Sequence, residues 1–208
     1  VLPGAALPQR RPAAQLLSTE DADVKADRRR FLRDSGLLLS VVVAGKVLTL
    51  SPRAAQAAAL PWRVLSAEQA ATLDSLAEAL VPGSRDAGIS QFIDKQLAAP
   101  AAERLLMLKY LGVEADDMAA FYTAALDSLG LAARKRHGKA AAALPPEQVR
   151  ALLQALSADA GDDWQGPPAG FFSFVLRSDA SDVTYGTRAG FDRLGIPYNA
   201  HIAPGEPW

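Results

Sequence analysis

Apolar residues recur at helical spacing over most of the chain after residue 58. In the first such segment Leu73, Ala77 and Leu80 stand three or four residues apart, the period of one face of an α-helix. No stretch shows the sustained alternation that predicts a β-strand. Further segments with helical spacing are 89–97, 105–111, 118–129, 149–156 and 171–176. The pattern predicts an all-α fold, a small irregular helical bundle.

Local signals mark where several of these helices begin and end. Ser66, with Gln69 three residues later, is the pattern of a capping box at the start of the first helix. Pro82-Gly83 ends that helix. The basic run 134–139 closes the fourth helix and has two interpretations. It supplies cations that suit a helix C-terminus, which is the interpretation we favour, or it forms a patch for an anionic surface.

The last part of the chain has a different composition. From Asp182 onward glycine, proline and aromatic residues alternate without a period, which predicts an extended C-terminal tail. Aromatic residues on such a segment are good anchors for a partner protein, and they equally suit packing against the chain's own helices. The candidate partner-binding residues are Tyr185, Phe191, Tyr198 and Trp208.

The N-terminal part carries the pattern of an export signal. The basic run 28–33 precedes an apolar run, Leu37 to Leu50, and the small-residue motif Ala55-Gln56-Ala57 follows. Arg28-Arg29 with Phe31-Leu32 fits the twin-arginine pattern, an address that a receptor reads. The apolar run is shorter than the roughly 20 residues of a membrane span. An ordinary buried helix after a basic loop is the alternative.

These observations divide the chain into four parts. Residues 1–26 form a predicted disordered extension, 27–57 the twin-arginine signal segment, 58–181 the helical domain and 182–208 the tail. There are two alternatives for the signal: it is cleaved at the motif that Ala55 and Ala57 form, or it is retained as a helix. Because the twin-arginine route exports folded proteins, usually with a cofactor, the chain is expected to bind a cofactor or to travel with a partner that does.

Composition and charge exclude several functions. Residues 1–57 carry a net charge of +4 and residues 58–208 a net charge of −5, so a general nucleic-acid role is not expected. The chain has no cysteine and only two histidines, which leaves no ligand set for c-type haem, an iron–sulfur cluster or zinc. No dinucleotide-binding glycine motif follows a strand. No catalytic, cofactor-binding or metal-binding residue is therefore predicted in this chain.

An independent enzyme is a weaker hypothesis. Carboxylates in pairs can perform acid–base chemistry, and the candidate acids are Asp162, Asp163, Asp179 and Asp182. Such residues in loops are usually solvated, and no constellation of a nucleophile with a base is visible. A stand-alone periplasmic helical protein, binding a ligand or acting as an adaptor, is a further alternative.

Two motifs and the signal carry a resemblance to a known family. The first motif runs from Leu65-Ser66-Ala67-Glu68 to Phe92-Ile93-Asp94, and the second from Phe171-Phe172 to Ile196-Pro197-Tyr198. With the twin-arginine signal, they make the chain resemble the gluconate 2-dehydrogenase subunit 3 family. The resemblance implies a small subunit, not an enzyme by itself, of a periplasmic dehydrogenase that acts on the CH–OH groups of sugars or alcohols.

The resemblance also implies the partners. The large subunit is a glucose-methanol-choline type flavoprotein that holds FAD, and the small subunit exports, escorts and stabilises it. The twin-arginine translocase reads the signal, and in this family a membrane-bound c-type cytochrome often accepts the electrons. The expected location is the periplasm, at the inner membrane where the complex holds it there.

Overall fold

Helices dominate the structure, as the apolar periods predict. The computed structural model describes residues 39–43, 46–158 and 164–197. The helices in these ranges are α1 Pro52–Ala57, α2 Ala67–Leu80, α3 Ser84–Ala87, α4 Ile89–Ala98, α5 Met107–Tyr110, α6 Asp117–His137, α7 Pro146–Ala158, α8 Ala169–Tyr185 and α9 Arg188–Arg193. Short 3-10 turns lie at Ala101–Glu103 and Ala141–Ala143. The predicted all-α fold is confirmed.

The local boundary signals act as predicted. At the start of α2 the Ser66 hydroxyl accepts the Gln69 N–H at 3.1 Å, and the Gln69 side-chain oxygen accepts the Ser66 N–H at 2.8 Å. The helix ends before Pro82. Gly138 closes α6 in the left-handed conformation, with a φ of 66°. Arg134 of the basic run forms an ion pair with Glu68 of α2.

Helix α2 lies at the centre of the bundle. It contacts α3, α4, α6, α7 and α8, and its residues Leu73, Leu76 and Ala77 are fully buried. Polar contacts fix the same helix: the Ser75 hydroxyl donates to the Ala141 carbonyl at 3.1 Å, and the Arg150 guanidinium donates to the Ala79 carbonyl at 2.9 Å. The helices therefore share one apolar core around α2.

The predicted signal segment contains two β-strands, where the sequence showed only an apolar run. Strands β1 Leu39–Val43 and β2 Lys46–Leu50 form an antiparallel pair in which Leu39 lies opposite Leu50 and Val43 opposite Lys46. The β-branched residues of this stretch favour a strand. The run is too short for its hydrophobic periodicity to have predicted one. Leu39 is buried in the core cluster of the helices. The basic residues at 28–33 lie outside the described residues.

The expected third helix is mostly absent from residues 105–111. Only the single turn α5 forms there, because side chains of other helices take the backbone N–H groups that would otherwise extend it. The Leu105 N–H donates to the Gln96 side chain at 2.6 Å, and the Met107 N–H donates to Asp179 at 2.8 Å. Long-range hydrogen bonds have replaced helical ones.

The first part of the predicted extended tail is helical. Helix α8 continues past Asp182 to Tyr185, and α9 follows after a two-residue break. Gly190 of α9 packs so closely on α8 that a β-carbon there would lie 2.5 Å from the Tyr185 Cα. Thr187 caps α9 by accepting the Gly190 N–H at 3.1 Å. Residues 198–208, with Tyr198 and Trp208, lie outside the described residues.

Candidate partner-binding surface

Helix α8 buries one face and leaves aromatic rings on another. Phe172, Val175 and Leu176 point into the core, whereas Phe171 and Phe174 are exposed, Phe174 by 52%. A helix cannot bury all of these residues at once, because neighbouring side chains are separated by about 100° around its axis. Phe171 and Phe174, the first and last phenylalanines of this motif, are therefore directed at solvent, and Phe172 between them is buried.

The segment next to α8 adds more exposed apolar side chains. Tyr110 is 70% exposed, and Leu105 and Leu111 are each 42% exposed. This segment contacts α8 through helix α5. We call Leu105, Tyr110, Leu111, Phe171 and Phe174 the α8 surface. Large apolar side chains grouped on neighbouring elements are typical of a protein–protein interface.

The ring of Phe171 is held in place from the core side. Its centroid lies 5.7 Å from that of Phe121 in α6, with the two rings nearly perpendicular. Phe121 in turn contacts Tyr122 and Phe172 at 5.6 and 5.8 Å. Edge-to-face pairs of this kind are favourable beyond the area they bury. Because the ring is positioned in advance, little ordering is needed when a partner covers it.

A buried carboxylate joins the two elements that carry this surface to each other and to α6. One oxygen of Asp179 in α8 accepts the Met107 N–H at 2.8 Å, and the other accepts the Tyr122 hydroxyl of α6. Burial raises the pKa of Asp179 to about 6, although the hydrogen bonds from Tyr122 and Met107 oppose that rise. Burial also raises the pKa of Tyr122 well above its ordinary value, so the phenol stays a donor.

The two candidate acids that the structure describes, Asp179 and Asp182, do not form a reactive site with each other. Asp179 is buried and engaged by Tyr122 and Met107, while Asp182 is exposed one turn further along α8. Asp162 and Asp163 lie outside the described residues. Within the described ranges, no group of three or more His, Asp or Glu side chains is placed to hold a metal ion. The chemistry that this surface offers is apolar contact.

The partner-binding residues predicted from the tail have different surroundings. Tyr185 is half-buried and packs against the core cluster, and Phe191 is half-buried on α9. Leu194 and Ile196, just beyond α9, are about half exposed. The sequence interpretation assigned Phe171 and Phe174 to a core-forming helix and so missed their exposure. The sequence signal that could have identified this exposure is the presence of three phenylalanines within four positions.

The predicted processing motif lies in α1. Ala55 is fully buried in the core cluster, and Ala57 is exposed at the end of the helix. The export residues Arg28, Arg29, Phe31 and Leu32 lie outside the described residues. No helix among those described combines the length and apolar character needed to cross a membrane.

A small polar cleft lies between α2 and α6. Its volume is about 180 Å³, and it is lined by Ser66, Glu68, Asp127 and Arg134, among others. Ligand pockets are usually about 300–1,000 Å³ and mostly apolar. Glu68 and Arg134 are already paired with each other. The cleft therefore has little capacity for a small molecule.

Comparison with known proteins gave one match. A family model described as gluconate 2-dehydrogenase subunit 3 matches residues 67–205, from the start of α2 to near the end of the chain. A search of the curated proteins found no match. A search of the solved structures likewise found none.

Proposed function

We propose, from the premise that the chain belongs to the gluconate 2-dehydrogenase subunit 3 family, that it is the non-catalytic small subunit of a periplasmic dehydrogenase complex. The family is named for a subunit of a dehydrogenase, which makes this chain an accessory subunit. In our proposal its partner is a large glucose-methanol-choline type subunit that holds FAD and oxidises CH–OH groups of a sugar or alcohol. The small subunit binds, escorts and stabilises that partner.

The observation that carries this proposal is the α8 surface. Phe174 is 52% exposed and Tyr110 70% exposed, and the ring of Phe171 packs edge-to-face against that of Phe121. Fixed aromatic side chains on a rigid helix are the side chains that contribute most to binding in protein interfaces. The predicted partner-binding residues Tyr185 and Phe191 follow Phe174 in the sequence, and Tyr198 and Trp208 come after them.

The export part of the proposal rests on the sequence. Arg28-Arg29 with Phe31-Leu32 is the address that the twin-arginine translocase reads, and the large subunit is exported with the small one. A membrane-bound c-type cytochrome is the proposed electron acceptor. This arrangement assigns every redox step to other chains and leaves this one with recognition and export.

Co-purification tests the proposal. The tagged chain is isolated gently from its native host, and the expected result is a large co-purifying chain with the absorbance bands of a flavin. Phe174→Ser is expected to weaken that association tenfold or more, since truncating a central aromatic typically costs about 2 kcal/mol of binding. Leu131→Ser is the matched control: Leu131 is 49% exposed, on the C-terminal half of α6.

Three outcomes contradict the proposal or the interface that it assigns. A single colourless chain of this size points instead to the alternative, a stand-alone periplasmic ligand-binding or adaptor protein. An unchanged association in the Phe174→Ser chain, together with a loss in Leu131→Ser, places the interface on another part of the bundle. Equal recovery of flavin with all three chains removes the α8 surface from the interface.

A further inference from the structure

Residues 52–65, which we call the strap, run along one side of helix α4. The strap comprises α1 and the segment that leads from it to α2. Its start is seated on Gly88, the residue that precedes α4. Gly88 has a φ of 87°, and a β-carbon there would lie 2.7 Å from the Arg53 nitrogen and collide with the Pro52 carbonyl. Only glycine allows both the backbone conformation and this approach.

Three side chains of α4 hold the rest of the strap by its backbone. The Gln91 side-chain amide donates to the Leu60 carbonyl at 3.0 Å, and the Lys95 ammonium donates to the Pro61 carbonyl at 2.7 Å. With Gly88 and Asp94 these residues follow the three- and four-residue spacing of a single helix face. The face therefore contacts the strap at regular intervals.

Asp94 makes the most extensive of these contacts. Its carboxylate accepts the N–H groups of Arg63, Val64 and Leu65 at 2.9–3.0 Å. Lys95 lies 2.9 Å from the same carboxylate. Charged hydrogen bonds of this kind are about twice as strong as neutral ones. The end of the strap is thereby fixed to α4 immediately before the capping box of α2.

The strap contains the small-residue motif of the predicted processing site. Ala55 is fully buried, and Pro52, Leu60 and Leu65 are buried beside it. The Ser51 hydroxyl caps α1 by accepting the Ala54 N–H at 3.2 Å. Ala57 and Ala58 are themselves exposed, at the end of α1 and in the turn that follows it. The chain on either side of them is held, by the buried Ala55 before the bond and by Leu60 after it, which is buried and whose carbonyl accepts from Gln91. A protease needs the chain around the bond to leave its fold, and these contacts oppose that.

We propose that the folded subunit closes its own processing site: docking of the strap on α4 protects the Ala57–Ala58 bond from proteolysis. The inference rests on the proposed function only in naming this bond as a processing site. A chain that is exported folded then keeps the residues before Ala57, including strands β1 and β2. Cleavage at this bond requires the strap to leave Gly88, Gln91, Asp94 and Lys95.

Limited proteolysis of the purified full-length chain tests the closure directly. Elastase accepts small residues and is expected to leave the Ala57–Ala58 bond intact in the native chain. Asp94→Ala is expected to raise the rate of cutting at this bond at least tenfold, measured by mass spectrometry. Asp127→Ala is the matched control, because Asp127 is exposed on α6 and accepts one hydrogen bond, from Gln69 at 2.9 Å. Rapid cutting of the native chain at Ala57 overturns the proposal.

A second variant covers the case in which Asp94→Ala does not fold. Gln91→Met with Lys95→Met keeps Asp94 but removes two of the contacts to the strap, and it is expected to be cut faster than the native chain. No increase in either folded variant overturns the proposal. The intact mass of the chain recovered from the periplasm is the second measurement, and a new N-terminus at Ala58 contradicts closure. Absence of the chain from the periplasm counts against the export signal. The elastase result still tests whether the docked strap protects the Ala57–Ala58 bond.

Discussion

A buried aspartate contacts the strap and another contacts the segment next to α8, and the two aspartates differ in their partners. Asp94 receives three backbone N–H groups and a lysine ammonium, while Asp179 receives one backbone N–H and one phenol. Burial by itself raises the pKa of both carboxyls. At Asp94 the Lys95 ammonium and the backbone donors outweigh burial, so the pKa lies below its ordinary value. At Asp179 burial prevails, and the pKa rises to about 6.

The two sites therefore respond to pH in opposite directions. Asp94 binds its proton less readily when folded, so its contribution to stability is present above a pH of about 4 and is lost as the pH falls below that. Asp179 holds its proton more readily when folded. Its favourable contribution is present below a pH of about 4 and is lost as the pH rises through about 6. Burial raises the pKa at both sites, and the number and charge of the donors decide whether that rise is reversed, as at Asp94, or persists, as at Asp179.

The largest effect is expected from Asp94→Ala. The change leaves three N–H groups and the Lys95 ammonium without their acceptor, and we expect a loss of about 3 kcal/mol in the free energy of unfolding at pH 7. Urea denaturation measures this value, and Asp127→Ala is expected to stay within about 0.5 kcal/mol of the native chain. A loss below about 1 kcal/mol for Asp94→Ala would mean that water replaces the carboxylate easily.

A smaller effect, confined to a pH range, is expected from Asp179→Asn. The difference between pKa values of 3.8 and about 6 corresponds to about 3 kcal/mol between pH 4 and pH 7, which is the most that this group can contribute. We expect the unfolding free energy of the native chain to fall over this range and that of the variant to fall less. The measurement is the difference between two curves of unfolding free energy against pH, one for the native chain and one for the variant.

The comparison of curves matters because other groups titrate in the same range. Burial also raises the pKa of Asp74 in α2 to about 6, which gives the native chain a second contribution of the same sign. Partial burial also raises the pKa of Asp182, which lies near Asp179 on α8 and is largely exposed. Both groups remain in the variant. The contribution of Asp74 cancels from the difference, whereas the charge of Asp182 helps to raise the pKa of Asp179 and is part of the measured effect. Parallel curves for the native chain and Asp179→Asn would contradict the role given to Asp179.

The sequence predicted those features whose partners are close together along the chain. Ser66 and Gln69 are three residues apart, and Pro82 and Gly138 act on the helix beside them, so their roles are readable without the fold. Asp94 binds N–H groups about 30 residues away, and Asp179 binds partners 57 and 72 residues away. Nothing in the spacing of residues encodes such contacts. The sequence therefore showed Asp94 only as part of a family motif and Asp179 only as one of four candidate acids, without the contacts that they make.

The same limit explains two of the segments where the fold differed from expectation. Residues 37–50 are too short for hydrophobic period to distinguish a strand from a helix. The helix expected at 105–111 has the right period, but acceptors from Gln96 and Asp179 take its N–H groups. The exposure of Phe174 followed from the packing of α8, because the sequence alone does not say which face of a helix is covered.

The smallest effect is expected from Tyr122→Phe, which removes only the phenol, one of the two neutral donors to Asp179. The carboxylate keeps the Met107 N–H, so we expect a loss of about 1–2 kcal/mol in the free energy of unfolding at pH 7. The loss is expected to shrink at pH 5, where Asp179 carries its proton in the folded chain. Thr123→Val is the control, since its hydroxyl bonds within α6 to Ala119 at 2.9 Å. An equal loss at both pH values would show that the phenol supports packing and not the charge of Asp179.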